Sequence, residues 1–351
     1  MSADQPRVLH IVPHLFGPSG LYGGGERYAL ELSLAMARRT PTRLVAFGAV
    51  SSRQVDGPLE IFTIVNQLPR RRFQSSPCGL DLLRHLRWAD VVHCHQTFTM
   101  AASLALVYGR LCGKPVFTTD HGGGGPCLHG YLPHLDRWFA GHLWVSRFSQ
   151  GANPTRPGDA IIWGGVDPLR FQPAAEPLPG SGAILFVGRR LPAKGVHTLL
   201  AAVDAESPVI LLGPAGDDDY EKRLSQLAAG KNVRFLPPVQ GDALTRAYQA
   251  ALCVVLPGTE TLGLTLMEAM ACARPIICTS ASGMLELIED GVNGMVVPAD
   301  QPAAIAERIA WLRANPGRGR EMGIRARQRV LESFTWDAIA DRCLSAYCAR
   351  N

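Results

Sequence analysis

Short apolar runs alternate with helix-length segments along almost the whole chain, and that alternation narrows the fold more than any other feature. In the first half, strands are expected at Arg7–Val12, Thr42–Phe47, Leu59–Ile64, Asp90–Cys94, Pro115–Thr118, His142–Val145 and Ala160–Trp163. Between them lie stretches such as Gly25–Arg39, where Tyr28, Leu32 and Ala35 recur at helical spacing. Gln172–Gly182 interrupts the pattern with three prolines and two glycines and reads as a linker. A second series follows, with strands expected at Ala183–Val187, Pro208–Leu212, Asn232–Leu236, Leu252–Leu256, Pro275–Thr279 and Gly294–Val297. Helices are expected at Gly195–Val203, Asp219–Ala228, Leu262–Ala273 and Ile305–Ala314, and two more, about Gly317–Ser333 and Trp336–Ala349, close the chain.

Strands that are apolar throughout and alternate with helices form parallel sheets covered on both faces. The expected fold is therefore α/β, with two Rossmann-like domains. The first spans 1–171, the linker 172–182 and the second 183–334; a last helix over 335–351 is expected to cross back to the first. In open parallel sheets ligands bind beyond the carboxyl ends of the strands, where helix N-termini offer unpaired N–H groups. With two such domains, the expected site is the cleft between them.

Composition agrees. Of 351 residues, 47% are hydrophobic and 19% charged, which excludes a disordered chain. No apolar run approaches the ~18 residues of a membrane-spanning helix, and the polar start Met1–Pro6 predicts no signal peptide. Nine cysteines, odd in number and without a C-x-x-C pair, point to free thiols in a reducing compartment, the cytoplasm. The net charge of +5 is uneven. Residues 1–180 carry 17 Lys+Arg against 12 Asp+Glu, whereas residues 181–351 carry 18 against 18.

Several familiar site patterns are missing. There is no G-x-x-x-x-G-K-[ST] loop, and neither Gly23–Gly25 nor Gly122–Gly125 meets G-x-G-x-x-G spacing. His121 with Gly122–Gly125 resembles a lipase oxyanion loop, but no G-x-S-x-G elbow accompanies it. His93, Cys94 and His95, followed by His121, Cys127, His129 and His134, suggest a metal cluster at first sight. His93 and His95 are expected to fall on opposite faces of the strand end, so no metal site is expected there.

Three segments of the second half point to an anionic ligand. Ile184–Gly195 is a strand, a glycine turn and the cations Arg189, Arg190 and Lys194 before a helix, a placement suited to a diphosphate. In Cys253–Ala273, a strand gives way to Pro257-Gly258-Thr259-Glu260, and a helix is expected from about Leu262 with bare N–H groups around Thr261–Leu264. That helix is apolar nearly all round, so Glu268 inside it must face a polar cleft or a partner such as a buried arginine. Thr265 lies on the same narrow polar stripe. Ser282–Pro298 adds a helical turn with Glu286 and a G-x-N-G turn into a strand.

Together these segments resemble the donor-binding half of the retaining, GT-B-fold glycosyltransferases of family 4 (glycosyl transferases group 1). The matches are G-R-x-L-x-x-K-G (Gly188, Arg189, Leu191, Lys194, Gly195), the E-x7-E pair (Glu260, Glu268), A-x-x-x-P-I (Ala271, Pro275, Ile276), G-x-x-E-L-I-x-D-G-x-N-G over Gly283–Gly294, and F-T-W-D-x-I-A over Phe334–Ala340. The first half agrees more loosely: Gly23-Gly24-Gly25-Glu26-Arg27, D-V-V-H at Asp90–His93, T-x-D-H at Thr118–His121, Val145-Ser146, and G-G-V-D at Gly164–Asp167. The sequence departs where the glycine usual in A-x-G-x-P is Ala273, where an aromatic residue often stands and this chain has Leu262, and where the G-x-G turn reads Gly213-Pro214-Ala215-Gly216.

The resemblance implies two Rossmann-like domains facing a central cleft, and a nucleotide-sugar donor, a UDP-sugar being favoured, bound near Gly188 and Gly213. Arg189 and Lys194 would neutralise the departing diphosphate, Glu268 would bind the ribose, and Glu260 with the N–H groups of Leu262, Gly263 and Leu264 would hold the sugar. His121 would approach the sugar's reacting end, and Gly24 would let backbone pass close to the phosphates. No metal or other cofactor is implied, nor an enzymic nucleophile.

The acceptor would be a glycan, a glycolipid or a small molecule in bacterial surface-glycan synthesis. Arg70–Phe73 with the amphipathic Leu80–Trp88 leaves peripheral contact with an anionic membrane open, though a solvated face is favoured. The arginines at 318, 320, 325, 327 and 329 lack interleaved aromatics and do not make a nucleic-acid surface. Two rival readings, a nucleotide-sugar epimerase on the same scaffold and a donor-binding subunit without turnover, fit the Arg/Lys and Glu set less well.

Overall fold

A computed structural model describes residues 5–13, 23–69, 75–122, 124–176, 178 and 182–349. The chain divides into two compact units, Met1–Trp163 with Trp336–Asn351, and Gly164–Thr335. The segment Arg70–Phe73 lies outside the described residues.

The first unit holds an eight-stranded sheet of β1 (Val8–Ile11), β2 (Thr42–Gly48), β3 (Ser52–Asp56), β4 (Leu59–Val65), β5 (Val91–His95), β6 (Val116–Thr119), β7 (Gly141–Trp144) and β8 (Ala160–Ile161). Their spatial order is β3-β4-β2-β1-β5-β6-β7-β8. All pairs run parallel except β3 with β4. Every expected strand is present within a residue or two, and β3 is additional. All five of its residues are exposed, so it carries no apolar signal and owes its place to backbone pairing with β4.

The helix Gly24–Ala37 buries Tyr28, Leu32, Ala35 and Met36 on one side. The helix Trp336–Cys348 buries Trp336, Ile339, Ala340, Cys343 and Tyr347 in the same unit. Arg39 ties the two together, donating to Asp337 at 2.7 Å and Asp341 at 2.5 Å. The amphipathic Leu80–Trp88 stretch becomes the helix Leu82–Trp88, whose Leu82 and Leu86 are fully buried in the core. Its apolar side is thus spent on the fold, and the Arg43 guanidinium covers Trp88 at 4.1 Å.

The second unit holds β9 (Ala183–Val187), β10 (Val209–Leu212), β11 (Val233–Leu236), β12 (Ala251–Leu256), β13 (Ile276–Thr279) and β14 (Met295–Val297). They form one fully parallel sheet in the order β11-β10-β9-β12-β13-β14. That is the doubly wound order in which the chain reverses direction across the sheet once, here between β9 and β12. Ile184, Phe186, Leu199, Leu211, Val255 and Ile277 make part of its core. Of the late arginines, Arg327 donates inward to the carbonyls of Phe171 and Ala271, and Arg318 lies over Trp311. All nine cysteines are free, and burial pushes Cys253 and Cys278 up to about 12. No described helix is long and apolar enough to cross a membrane.

Candidate active site

The reversal between β9 and β12 is where a sheet of this order opens to ligands, at the carboxyl ends of its strands. Gly188, Arg189 and Arg190 leave β9 there, followed by a tight turn at Pro192–Lys194 and the helix Val196–Ala202. Pro257–Gly263 leaves β12 and enters the helix Leu264–Ala271. The loops press backbone on backbone. A Cβ on Gly213, whose φ is +143°, would lie 2.2 Å from the Gly188 carbonyl oxygen. One on Gly195 would lie 2.6 Å from that of Pro257. Contacts under 3.0 Å cannot be accommodated by backbone, so these glycines set how closely the loops approach.

The three cations have different fates. Arg190 turns back into the fold with its side chain 8% exposed, donating to Glu221 at 2.9 Å and to the Gly213 carbonyl at 2.8 Å. Burial pushes the Glu221 carboxyl up, but Arg190 and the Gly216 amide outweigh it and hold it below its ordinary value. Arg189 is exposed and has no ion-pair partner among the described residues. Lys194 donates to Glu260, both being partly exposed at 29% and 22%. The Ser282–Pro298 segment braces this pair from behind, where the Ser282 hydroxyl and the Gly283 amide donate to the Glu260 carbonyl at 2.8 and 2.9 Å. Glu260 is therefore pinned through its backbone while its side chain faces Lys194.

The helix after β12 starts at Leu264, two residues later than expected, with Gly263 as an N-cap that offers no side chain. The N–H groups of Gly263, Leu264 and Thr265 find no hydrogen-bond partner among the described residues, so the positive end of the helix dipole is open. Leu262 is buried. Glu268 is 3% exposed and accepts from the Tyr248 hydroxyl at 2.7 Å, a partner the sequence did not single out. Thr265 donates to the Val187 carbonyl at 3.3 Å. Ala273, where the resemblance expects glycine, has φ +54°, the left-handed conformation that explains why glycine is usual there.

Gly188, Arg189, Lys194, Gly213, Glu260, Leu262, Gly263, Leu264 and Glu268 all sit on the second unit at or beyond the β9, β10 and β12 ends. Gly24 and His121 belong to the first. Gly24 opens the helix Gly24–Ala37, and a Cβ there would meet nothing. The close neighbour of His121 is instead Gly25, whose added Cβ would lie 3.1 Å from the His121 Cβ. The Tyr28 ring packs 4.6 Å from the His121 ring.

The expectation that His93 and His95 point to opposite faces is wrong. Residues two apart on a strand share a face, and His10 on β1 lies directly opposite His93. His10, His93 and His95 accordingly cluster, all buried, with ring nitrogens within 4.8 Å of one another. His95 Nδ1 reaches His121 Nε2 at 3.4 Å. Burial pushes His10 down to about 3 and His121 to about 4, and His93 and His95 well below their ordinary value, so all four are neutral at pH 7. Sequence reasoning missed His10 and Gly25. The signal for His10 was the strand period of two combined with its neighbouring strand.

The glycosyl transferases group 1 family matches residues 171–329, and Glycosyltransferase Family 4 matches residues 22–162. An alpha-maltose-1-phosphate synthase of Mycolicibacterium smegmatis is 30% identical over 395 residues, covering 94% of this chain and 96% of that one. The chain belongs to glycosyltransferase family 4. A D-inositol 3-phosphate glycosyltransferase of Salinispora tropica is 33% identical over 227 residues, 56% of this chain and 46% of that relative. The chain thus spans about half the length of that relative. Among solved structures, sucrose-phosphate synthase from Thermosynechococcus elongatus superposes with TM-score 0.77 at 20% identity, covering 98% of both chains. Anabaena HepE in complex with UDP-glucose gives 0.75 at 19% identity, covering 99% of this chain and 100% of that one. At these identities the likeness establishes the fold, which is the GT-B fold expected from the sequence.

Proposed function

We propose that this glycosyltransferase moves a sugar from a nucleotide-sugar, with a UDP-sugar favoured, to an acceptor hydroxyl with retention of anomeric configuration. The observation that carries the reading is the convergence, at the β9/β12 reversal, of exposed Arg189, the Lys194–Glu260 pair and the open N–H groups of Gly263–Thr265. Glycosyl transfer builds negative charge on the departing diphosphate, so fixed cations beside it favour the transition state over the ground state. Arg189 and Lys194 fill that role, and the reading needs no divalent ion. Glu260, released from Lys194 as phosphate arrives, binds sugar hydroxyls together with the N–H groups of Leu262–Leu264. Glu268 is assigned to the ribose, and Gly188 and Gly213 allow close approach by the nucleotide. His121 is assigned a contact to the donor sugar and Gly24 a close backbone approach to phosphate.

In the proposed step the bond from the anomeric carbon to the diphosphate oxygen breaks. The acceptor oxygen bonds to the same face of that carbon, and the acceptor's proton passes to a phosphate oxygen of the leaving group. No side chain forms a covalent intermediate. The relatives named for an inositol phosphate and a maltose phosphate support a phosphorylated small-molecule acceptor rather than the surface glycan or glycolipid expected from the sequence. The charge excess of residues 1–180, 17 Lys+Arg against 12 Asp+Glu, fits an acidic acceptor.

The test is nucleotide release from UDP-, GDP- and ADP-sugars, with and without an inositol phosphate, a sugar phosphate and a neutral disaccharide. Release is expected with a UDP-sugar and a phosphorylated acceptor, and to vanish in Lys194→Ala and Glu260→Ala. Epimerised donor without release would support the epimerase instead, and wild-type turnover in both variants would sink the site.

A further inference from the structure

Three clustered histidines invite a metal ion, but their nitrogens pair with one another and with two hydroxyls. Two nitrogens on one tetrahedral zinc, with bonds of ~2.1 Å, stand roughly 3.4 Å apart. His10 Nδ1 and His95 Nε2 are 2.8 Å apart, a hydrogen-bond separation. His93 has no nitrogen to spare, since Nε2 meets the Thr119 hydroxyl and Nδ1 the Tyr347 hydroxyl, each at 2.8 Å. What remains is a chain of imidazoles running from the core toward the loop after β6. His10 Nδ1 meets His95 Nε2 at 2.8 Å, and His95 Nδ1 meets His121 Nε2 at 3.4 Å. Successive rings are tilted by only 21° and 10°, with centroids 5.1 and 5.6 Å apart.

A neutral imidazole has one N–H and one bare nitrogen, which leaves this chain two directions. If the protons point inward, His121 donates to His95, His95 donates to His10, and His10 is left with an Nε2–H. If they point outward, His10 Nδ1–H donates to His95 Nε2, His95 Nδ1–H donates to His121 Nε2, and His10 Nε2 is bare. His10 is 0% exposed and its Nε2 has no hydrogen-bond partner among the described residues. An orphaned buried N–H is rarer and costlier than an under-used acceptor, so the outward direction wins.

We propose that His10 and His95 are positioning residues that lock His121 in its Nδ1–H tautomer, making it a hydrogen-bond donor, never an acceptor, toward an oxygen of the sugar donor. The contact with the sugar donor rests on the function proposed above; the tautomer does not. Gly25 and Tyr28 hold the ring from its sides, the first by having no Cβ and the second by packing on it.

Nitrogen NMR of the full chain labelled at histidine tests the lock directly in the wild type. His10 and His121 are both expected with protonated Nδ1 and bare Nε2, and an Nε2–H on either ring overturns the proposal. In His10→Leu the His121 signals should report mixed tautomers. There kcat should fall ~10-fold with donor KM unchanged, the loss of about one hydrogen bond made in the transition state. His10→Asn, whose amide N–H lies at the Nδ1 position and can still donate to His95, should restore both the tautomer and kcat. A kcat loss in His10→Leu with the His121 tautomer unchanged overturns the relay. Full activity in His121→Ala overturns the assigned sugar contact, while the NMR result still decides the tautomer.

Discussion

The two units use the ends of their strands in opposite ways. In Gly164–Thr335 the ends of β9 and β12 gather charge: Arg189 exposed, Arg190 on Glu221, Lys194 on Glu260. In the first unit the corresponding positions hold imidazoles that burial keeps uncharged. Nine of the ten histidines lie within residues 1–163, and His197 alone is in the second unit. On the proposed reading, a diphosphate needs formal charge, which the second unit would supply. A neutral, directed hydrogen bond needs a controlled tautomer, which a buried histidine chain supplies without the cost of a desolvated ion.

The largest expected effects come from separating two cations four residues apart. Arg190→Ala strands Glu221 and the Gly213 carbonyl inside the loop cluster, and should cost ~3 kcal/mol of stability in chemical denaturation. Lys194→Ala should move the denaturation midpoint little, because partly exposed pairs contribute ~1 kcal/mol or less, yet abolish transfer. If instead Arg190→Ala were the variant that spares the fold and stops catalysis, the contrast between a structural and a phosphate-holding cation would be reversed.

The contrast also explains what was legible in the sequence. The parallel sheets were readable because continuous apolar runs between helices have no other packing solution, and β3 escaped because nothing about Ser52–Asp56 is apolar. The placement of Lys194 and Glu260 was readable because charges at a strand-to-helix turn have no role in a core. Which arginine faces inward was not: Arg189 and Arg190 are adjacent, and only the position of Glu221, 31 residues beyond Arg190, separates them. The histidine chain was hidden for a different reason. His10 and His95 lie 85 positions apart, and strand register alone brings them together.

Acid should distinguish the units next. The folded-state pKa of His10 is depressed to about 3 and that of His121 to about 4, against an ordinary value of 6.5. Below pH 6.5 the unfolded chain therefore binds protons that the folded unit refuses, and stability present at neutral pH is lost as pH falls toward 4 and then 3. Each such histidine contributes a slope of at most ~1.4 kcal/mol per pH unit. Amide hydrogen exchange, corrected for its intrinsic pH dependence, should show β1 and β5 losing protection between pH 6.5 and 4 while β9 and β12 hold theirs. Equal losses in both sheets would mean that the histidine cluster is already solvated in the native state.

The smallest effect isolates the second unit from the other side. Ala273 sits at φ +54°, a conformation that costs an L-residue roughly 1 kcal/mol or more and costs glycine nothing. Glycine gives part of this back through the greater freedom of its unfolded chain, so Ala273→Gly should stabilise by a net ~0.5–1 kcal/mol. The adjoining backbone is already close enough that a Cβ on Gly323 would lie 2.1 Å from the Ala273 carbonyl, so the turn cannot relax to a negative φ without moving the helix Pro316–Ser333. The gain should appear as slower exchange in the Leu264–Ala271 helix and β13, with no change in β1 or β5. A variant less stable than the parent would show that the turn carries no strain and that alanine is held there at no cost.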